Sequence, residues 1–326
     1  MHPPPTDTIA SLQAGRGVAA LAVVLLHSAL AARNFGGPFP AFALLSHGYI
    51  GVDYFFVLSG FIIYHSTIDR RRGLARYFSA RFKRVYLPYW PVGIAIGLVY
   101  LMQPAMVGAH RDWSWLSTLT LVPIDRPPAL SVAWTLQHEI LFYGLFGLFY
   151  FSGLLPLGTI AWAICIVAIR KHVLFDPVNL EFLFGMLAAV LYRARQARPA
   201  LALMAPILFA VWIWAGADET TRVLIGAALA CLVAPLAQAE RNGIKIPRPL
   251  ILLGAASYSL YLVHTPIISI VERLLDQSWA ILAAGIVSSL ITAWLYQTLV
   301  EARVVARKTN PEVFADQEEN RRRVNR

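Results

Sequence analysis

The sequence predicts an all-α integral membrane protein, a single bundle of about ten transmembrane helices with both termini in the cytoplasm. Composition is the first reason: 58% of the 326 residues are apolar and only 14% are charged. Soluble domains average about 45–50% apolar and about 25% charged residues. Together with a mean hydropathy of +0.59, this composition excludes an ordinary soluble globular protein and indicates a chain that lies in the bilayer.

Ten apolar runs are the second reason. A transmembrane helix needs about 20 predominantly apolar residues. Runs near that length cover approximately residues 13–32, 49–66, 85–103, 132–151, 154–169, 174–192, 200–215, 220–237, 251–271 and 278–299. Because backbone polar groups in lipid must be satisfied within the chain, each run is predicted to be a helix. An eleventh run, near 113–123, is too short to span and predicts an interfacial or re-entrant segment.

The distribution of positive charge predicts the orientation. The segment 69–84 concentrates arginine and lysine, which places it in the cytoplasm by the positive-inside rule. With ten spans, most of the other cations fall on the same side of the membrane, and so do both termini. Residues 1–300 then form one transmembrane domain, and residues 301–326 form a polar cytoplasmic tail.

Several other kinds of site are disfavoured. Cys165 and Cys231 both lie inside apolar runs, where a thiol packs as a small hydrophobic group, so neither a disulfide framework nor a metal site is predicted. The cations sort by membrane side rather than along one continuous face, which argues against nucleic-acid binding. Membrane lipid is the expected partner, and the formation of a homo-oligomer stays open.

Ionisable residues inside apolar runs are the first functional candidates, because a charge at the bilayer centre costs about 2.5–3.5 kcal/mol on insertion scales. Arg16 and His27 lie eleven residues apart, which places them on one helix face with about 16 Å of rise between them. Taken singly, Arg16 could reach the interface and His27 could be a hydrogen-bonded interior histidine. Their shared face favours a lined cavity.

Four further ionisable candidates lie in other runs. Glu139 directly follows His138, and a carboxylate near an imidazole can orient or charge-balance a general base. Asp53 fits a helix-end capping role about as well as a catalytic role. For Glu181 and His264, structural polar contacts between helices are the favoured interpretation.

A cytoplasmic cluster has the chemistry of a phosphate site. Arg81 and Arg84 lie three residues apart, on one helix face, and two adjacent guanidinium groups suit a diphosphate. Tyr89 follows them and offers a ring for stacking on a nucleobase. The alternative is ordinary positive-inside charge beside an aromatic belt, and the cluster can serve both purposes.

Five segments resemble, in the right order, the motifs of the acyltransferase family 3 membrane proteins. They are LQAGRGVAALAVVLLH, with Arg16 and His27; GVDYFFVLSGFII; RFKR, with Arg81 and Arg84; WTLQHEILFY; and SYSLYLVHTP. The resemblance spans almost the whole chain. Gln13 stands where many members carry an acid, a variant similar to the branch that acetylates exopolysaccharide and O-antigen.

The resemblance implies a membrane-bound O-acetyltransferase whose acyltransferase domain is residues 1–300. Such a protein moves an acyl group, usually acetyl, from cytoplasmic acetyl-CoA to a hydroxyl of an extracytoplasmic carbohydrate acceptor such as exopolysaccharide, without a metal. It would be a multi-pass protein of the bacterial inner membrane. His27 would be the general base or the nucleophile that carries the acyl group. The implied roles are catalysis for His27, Glu139 and Arg16, donor binding for Arg81, Arg84 and Tyr89, and substrate contact or structure for Asp53, Glu181 and His264.

Two other classes of function compete with this interpretation. A secondary transporter or flippase for a polar or anionic substrate could also line its path with buried arginine, histidine and glutamate. The paired cytoplasmic arginines and the absence of matching interrupted helices in two halves argue against it. A non-catalytic scaffold of a polysaccharide export complex would tolerate replacement of all these residues.

Overall fold

The computed structural model describes residues 9–68, 73–103, 112–124, 126–216, 218 and 221–303. None of these residues forms a strand, so the all-helical prediction is confirmed for this part of the chain. The helices are α1 Ala10–Phe35, α2 Phe42–Leu45, α3 Ile50–Thr67, α4 Leu74–Met102, α5 Trp115–Thr120, α6 Trp134–Phe151, α7 Leu155–Ile169, α8 Leu180–Arg193, α9 Met204–Trp214, α10 Val223–Arg241, α11 Arg248–Ala255, α12 Ser257–Leu274 and α13 Ser278–Tyr296, which continues as a π-helix over Gln297–Glu301.

Each of the ten apolar runs contains one of these helices, but fewer have the length and hydropathy of a membrane span. Five segments do: Ala10–Phe35, Phe42–Thr67, Leu74–Met102, Val223–Arg241 and Ser278–Glu301. A sixth span results if α11 and α12, which meet at a bend of 63°, are counted as one. The described residues therefore support five or six spans, and ten spans with cytoplasmic termini stay a prediction.

The short eleventh run contains only the six-residue helix α5, so it is too short to cross a membrane, as predicted. This helix packs on α4 through two hydrogen bonds. Trp90 donates its indole N–H to the Leu119 carbonyl at 2.9 Å, and the Tyr86 hydroxyl donates to the Thr120 carbonyl. These bonds hold the segment against the helix that carries Arg81 and Arg84.

Glycine allows α3 and α8 to approach each other closely. A Cβ at Gly60 would overlap the Phe182 carbonyl, and a Cβ at Gly185 would overlap the Val57 carbonyl. Small residues permit this kind of backbone contact between membrane helices. The close approach joins α3, which lines the cavity described below, to α8.

Helix α1 lies inside the bundle, because it packs against α3, α11, α12 and α13. Its N-terminus is anchored by Glu240 of α10, whose carboxylate accepts hydrogen bonds from the Ala10 N–H at 2.8 Å and the Ser11 N–H at 2.6 Å. A carboxylate at this end satisfies free N–H groups and complements the helix dipole. Arg16 and His27, two of the polar residues of α1, are thereby held among other helices.

Candidate functional site

A cavity of about 140 Å³ lies between α1, α3, α4, α6 and α12. Its apolar walls come mainly from α3, while its polar groups come from all five helices. The structure brings four of the predicted site residues together here, although they are spread over three helices. The polar lining residues are Arg16, Ser59, Arg81, Arg84, Thr135, Glu139, Tyr143, Ser257, Tyr258 and Tyr261.

Arg84 is the most firmly held of the three cavity arginines. Its Nη1 lies 3.2 Å from the Glu301 carboxylate, and its guanidinium lies 5.3 Å from the centre of the Tyr258 ring. Glu301 in turn accepts a hydrogen bond of 2.6 Å from the hydroxyl of Ser259. These contacts from α12 and the π-helix fix the position of the Arg84 charge at the cavity.

The other two arginines keep free donors. Arg81 Nη2 donates to the Ser66 hydroxyl at 3.4 Å, but its buried Nε has no hydrogen-bond partner among the described residues. Arg16 lines the same cavity, and within the described ranges its guanidinium makes no hydrogen bond. Unused guanidinium donors at a cavity are suited to a carboxylate or phosphate ligand, because such anions accept several charged hydrogen bonds at once.

Charge at the cavity is unbalanced. Three guanidinium groups face it, and two carboxylates, Glu139 and Glu301, lie within electrostatic reach of Arg16. Buried charge needs compensation, so the excess of positive charge favours an anionic ligand over a neutral one.

Glu139 belongs to the cavity rather than to the surroundings of His27. Its Oε1 accepts a hydrogen bond from the Ser59 hydroxyl at 3.3 Å and another from the Tyr143 hydroxyl. The structure shows no contact between Glu139 and His27 within the described residues. In this conformation Glu139 is placed to balance the arginines, and it does not orient the imidazole as the sequence analysis expected.

The contact to His27 is made instead by His264. The His27 Nδ1 lies 3.3 Å from the Nε2 of His264 and 2.9 Å from the Val23 carbonyl. His264 is completely buried, and the two rings meet edge to face with centroids 4.9 Å apart. The polar helix contact predicted for His264 therefore has a specific partner, the candidate catalytic histidine.

Tyr261 connects this histidine pair to the cavity. It lines the cavity, and its ring centroid lies 5.7 Å from that of His264. Its hydroxyl oxygen lies within hydrogen-bond distance of that of Thr135, at 2.8 Å, and donates to the Val132 carbonyl at 3.1 Å. His27 itself is not among the lining residues, so Tyr261 lies between the arginines and the imidazoles.

Tyr89 does not take the position that donor stacking requires. Its side chain is completely buried in the hydrophobic core and is absent from the cavity lining. It follows Arg84 by five positions, which corresponds to a rotation of about 140° around the helix. The ring therefore faces away from the Arg84 side chain and is not available to a nucleobase in this structure.

Asp53 and Glu181 form a second polar cluster outside the cavity. Asp53 is completely buried, and its carboxylate accepts two hydrogen bonds from Arg222, at 2.6 and 3.1 Å. Glu181 is also completely buried and lies within electrostatic reach of Asp53, and neither of its carboxylate oxygens has a hydrogen-bond partner among the described residues. A Cβ at Gly226 would come within 2.5 Å of the Glu181 side chain. Asp53 is thus an ion-pair partner and not a helix cap.

Glu301 is a charged residue at the site that could have been recognised in the sequence but was not. The polar tail was predicted to start at this position, but Glu301 is buried at the end of a π-helix that continues α13. The sequence feature that could have indicated Glu301 was a single acidic residue directly after the last apolar run. The rest of the predicted tail, from 304 to 326, lies outside the described residues.

The described part of the chain contains no group of three or more histidine, cysteine, aspartate or glutamate side chains placed to hold a metal ion. The polar groups at the cavity are instead guanidinium, hydroxyl and single carboxylate groups. This donor set suits an anionic organic ligand.

Comparison with known proteins identifies the family. The exopolysaccharide production protein ExoZ of Rhizobium meliloti is 31% identical over 261 residues, which cover 69% of this chain and 78% of ExoZ. The acyltransferase MdmB of Streptomyces mycarofaciens is 24% identical across 92% of each chain. No solved structure gives a significant match. The profile of acyltransferase family 3, described as an acyltransferase domain, matches residues 9–298. The chain therefore belongs to the acyltransferase family 3 of membrane proteins.

Proposed function

We propose that this protein is an O-acetyltransferase of the bacterial inner membrane that transfers acetyl from cytoplasmic acetyl-CoA to a hydroxyl of an extracytoplasmic glycan such as exopolysaccharide. The observation that carries the proposal is the arginine-lined cavity, whose lining residue Tyr261 packs against His264, the hydrogen-bond partner of His27. An anion-binding site beside a buried imidazole is what transfer from a phosphorylated donor requires. The relationship to ExoZ supports a polysaccharide acceptor.

The size of the cavity indicates which part of the donor enters. Sites for drug-sized ligands enclose about 300–1,000 Å³, whereas this cavity has about 140 Å³. It suits a narrow thioester arm rather than the whole of acetyl-CoA. The phosphates would therefore lie at the guanidinium groups of Arg81 and Arg84, with the nucleotide outside the cavity.

His27 is the proposed base. Its Nε2 takes the proton of the acceptor hydroxyl while that oxygen attacks the thioester carbonyl carbon, so a C–O bond forms and the C–S bond breaks. The leaving thiolate takes the proton from the imidazolium. The products are the glycan ester and the CoA thiol, and His27 returns to its neutral form.

Replacement of His27 tests the catalytic role. We expect His27→Ala to lower acetylation of cell-surface polysaccharide, measured by mass spectrometry, by about 10²- to 10⁴-fold, the usual contribution of a positioned base. His47→Ala is the matched control, because His47 lies in an exposed turn outside the cavity. Acetylation by folded His27→Ala protein at the level of the control would refute the assignment.

Replacement of an unpaired cavity arginine tests the donor site. Arg81→Gln removes a cavity guanidinium that has no carboxylate partner among the described residues, and we expect its Kd for acetyl-CoA to rise about tenfold or more, since a hydrogen bond to a charged group contributes about 1.5–3 kcal/mol. Arg76→Gln is the control, because Arg76 is exposed on the same helix. Equal affinity of the two variants, measured by calorimetry, would contradict the proposed donor site.

A further inference from the structure

The buried His264 and the half-buried His27 form a hydrogen-bonded pair with a direction. On α12, the Nδ1 of His264 lies 3.1 Å from the Leu260 carbonyl and 2.8 Å from the Tyr261 carbonyl. A carbonyl oxygen can only accept, so this nitrogen must carry the proton. The Nε2 of a neutral His264 is then an acceptor, and it points at His27.

The tautomer of His27 follows from its two neighbours in the same way. Its Nδ1 lies between two acceptors, the Val23 carbonyl at 2.9 Å and the His264 Nε2 at 3.3 Å. The proton of a neutral His27 therefore lies on Nδ1, and the lone pair lies on Nε2. This lone pair is what a general base or a nucleophile needs.

We propose that His264 is a positioning residue that holds His27 in its Nδ1–H tautomer and keeps the Nε2 lone pair available for the reaction. The inference rests on the proposed role of His27 in acyl transfer. The Val23 carbonyl belongs to α1 itself, so this bond holds the ring only relative to its own helix. His264 adds an acceptor from a second helix and fixes the plane of the ring.

The arrangement also accommodates the protonated state of His27. When Nε2 takes the acceptor proton, Nδ1 keeps its own proton and both of its acceptors. Charge appears on the ring without a change in its hydrogen bonds, which lowers the reorganisation that the step requires.

Two substitutions at His264 separate this role from simple packing. Glutamine can place its side-chain oxygen near the original Nε2, whereas asparagine reaches only the Nδ1 position and leaves His27 without its second acceptor. We expect His264→Asn to lower kcat about 10- to 100-fold, as is typical of residues that orient a reactive group. We expect His264→Gln to keep most of kcat and both variants to keep the KM for acetyl-CoA. Equal kcat of the two folded variants, at whatever level, would overturn the proposal.

A spectroscopic measurement reads the tautomer without relying on activity. Protein labelled with ¹⁵N-histidine distinguishes protonated from unprotonated ring nitrogens, and subtraction of the His27→Ala spectrum identifies the His27 signals. We expect the Nδ1–H form in the wild type, and a dominant Nε2–H form would refute the inference. If His27→Ala stays active, the proposed function of His27 fails instead, whatever tautomer the spectrum shows.

Discussion

The carboxylate of Glu301 lies 3.2 Å from the Arg84 guanidinium, and the two side chains differ in exposure, at 8% and 36% respectively. The ion pair joins the end of the last described helix to the cavity. Because Glu301 is the more buried partner, the loss of Arg84 and the loss of Glu301 have unequal consequences. Removal of Arg84 leaves a buried carboxylate that keeps the Ser259 hydroxyl and the more distant attraction of Arg16 but loses its ion-pair partner.

Arg84→Gln is therefore expected to destabilise the protein more than Glu301→Gln. In Arg84→Gln, a buried charge is left unpaired, which costs about 3–5 kcal/mol of stability. In Glu301→Gln, the Arg84 guanidinium still reaches the cavity, so the loss of stability is about 1 kcal/mol or less. The double variant should be more stable than Arg84→Gln alone, since it contains no unpaired charge. Thermal unfolding of the purified variants measures the order, and equal losses from the two single substitutions would contradict it.

Sequence patterns predicted the parts of this structure that depend on local periodicity. All ten apolar runs contain helices, and the run near 113–123 is too short to span. Arg16 lines a cavity, but His27, which was predicted to share it, does not. Hydropathy and the 3.6-residue repeat determine these features within one segment. They do not determine how many helices cross the membrane, because several of them are short.

The contacts between segments could not be predicted in this way. His27 and His264 lie 237 residues apart, and periodicity gives the face of a helix without its neighbour. Glu301 was interpreted as the start of a polar tail, because its burial depends on contacts with Arg84 and Ser259 in other helices, which the local sequence does not show. The burial of Tyr89 could be predicted in part, since its spacing of five positions from Arg84 places it on another side of α4.

The cluster of Asp53, Glu181 and Arg222 leads to a second prediction. Two buried carboxyl groups beside one guanidinium are most stable when one of them is protonated, and the bidentate bond to Arg222 selects Asp53 as the charged one. We expect Glu181→Gln to change stability by less than about 1 kcal/mol, because it replaces a neutral acid by a neutral amide.

Asp53→Asn should cost about 3–5 kcal/mol, because it breaks a buried ion pair from one side. The two substitutions are matched in size and in chemistry, so chemical or thermal unfolding of the pair isolates the effect of charge. Greater destabilisation by Glu181→Gln than by Asp53→Asn would show that Glu181 carries the charge.

The cap of α1 leads to a third prediction. Glu240→Ala removes both acceptors from the Ala10 and Ser11 N–H groups, and the loss of a cap together with the dipole interaction costs about 1–2 kcal/mol. We expect a lower unfolding temperature, with acyl transfer retained below that temperature. Glu272→Ala is the control, since its bond from Ser269 lies within one helix; an equal effect of both variants would exclude a special role for the cap.

Glycine packing between α3 and α8 leads to the last prediction. A Cβ at Gly60 would overlap the Phe182 backbone, while a Cβ at Gly144, in the middle of α6, would meet nothing within 4 Å. Gly60→Ala must push the two helices apart and should cost about 1–3 kcal/mol, as overpacking does. Gly144→Ala should be neutral or stabilise the helix by up to about 1 kcal/mol. The comparison separates helix propensity from helix contact, because both variants gain the same methyl group. Unfolding temperatures that shift in the same direction and by the same amount would show that α3 and α8 do not need this close approach.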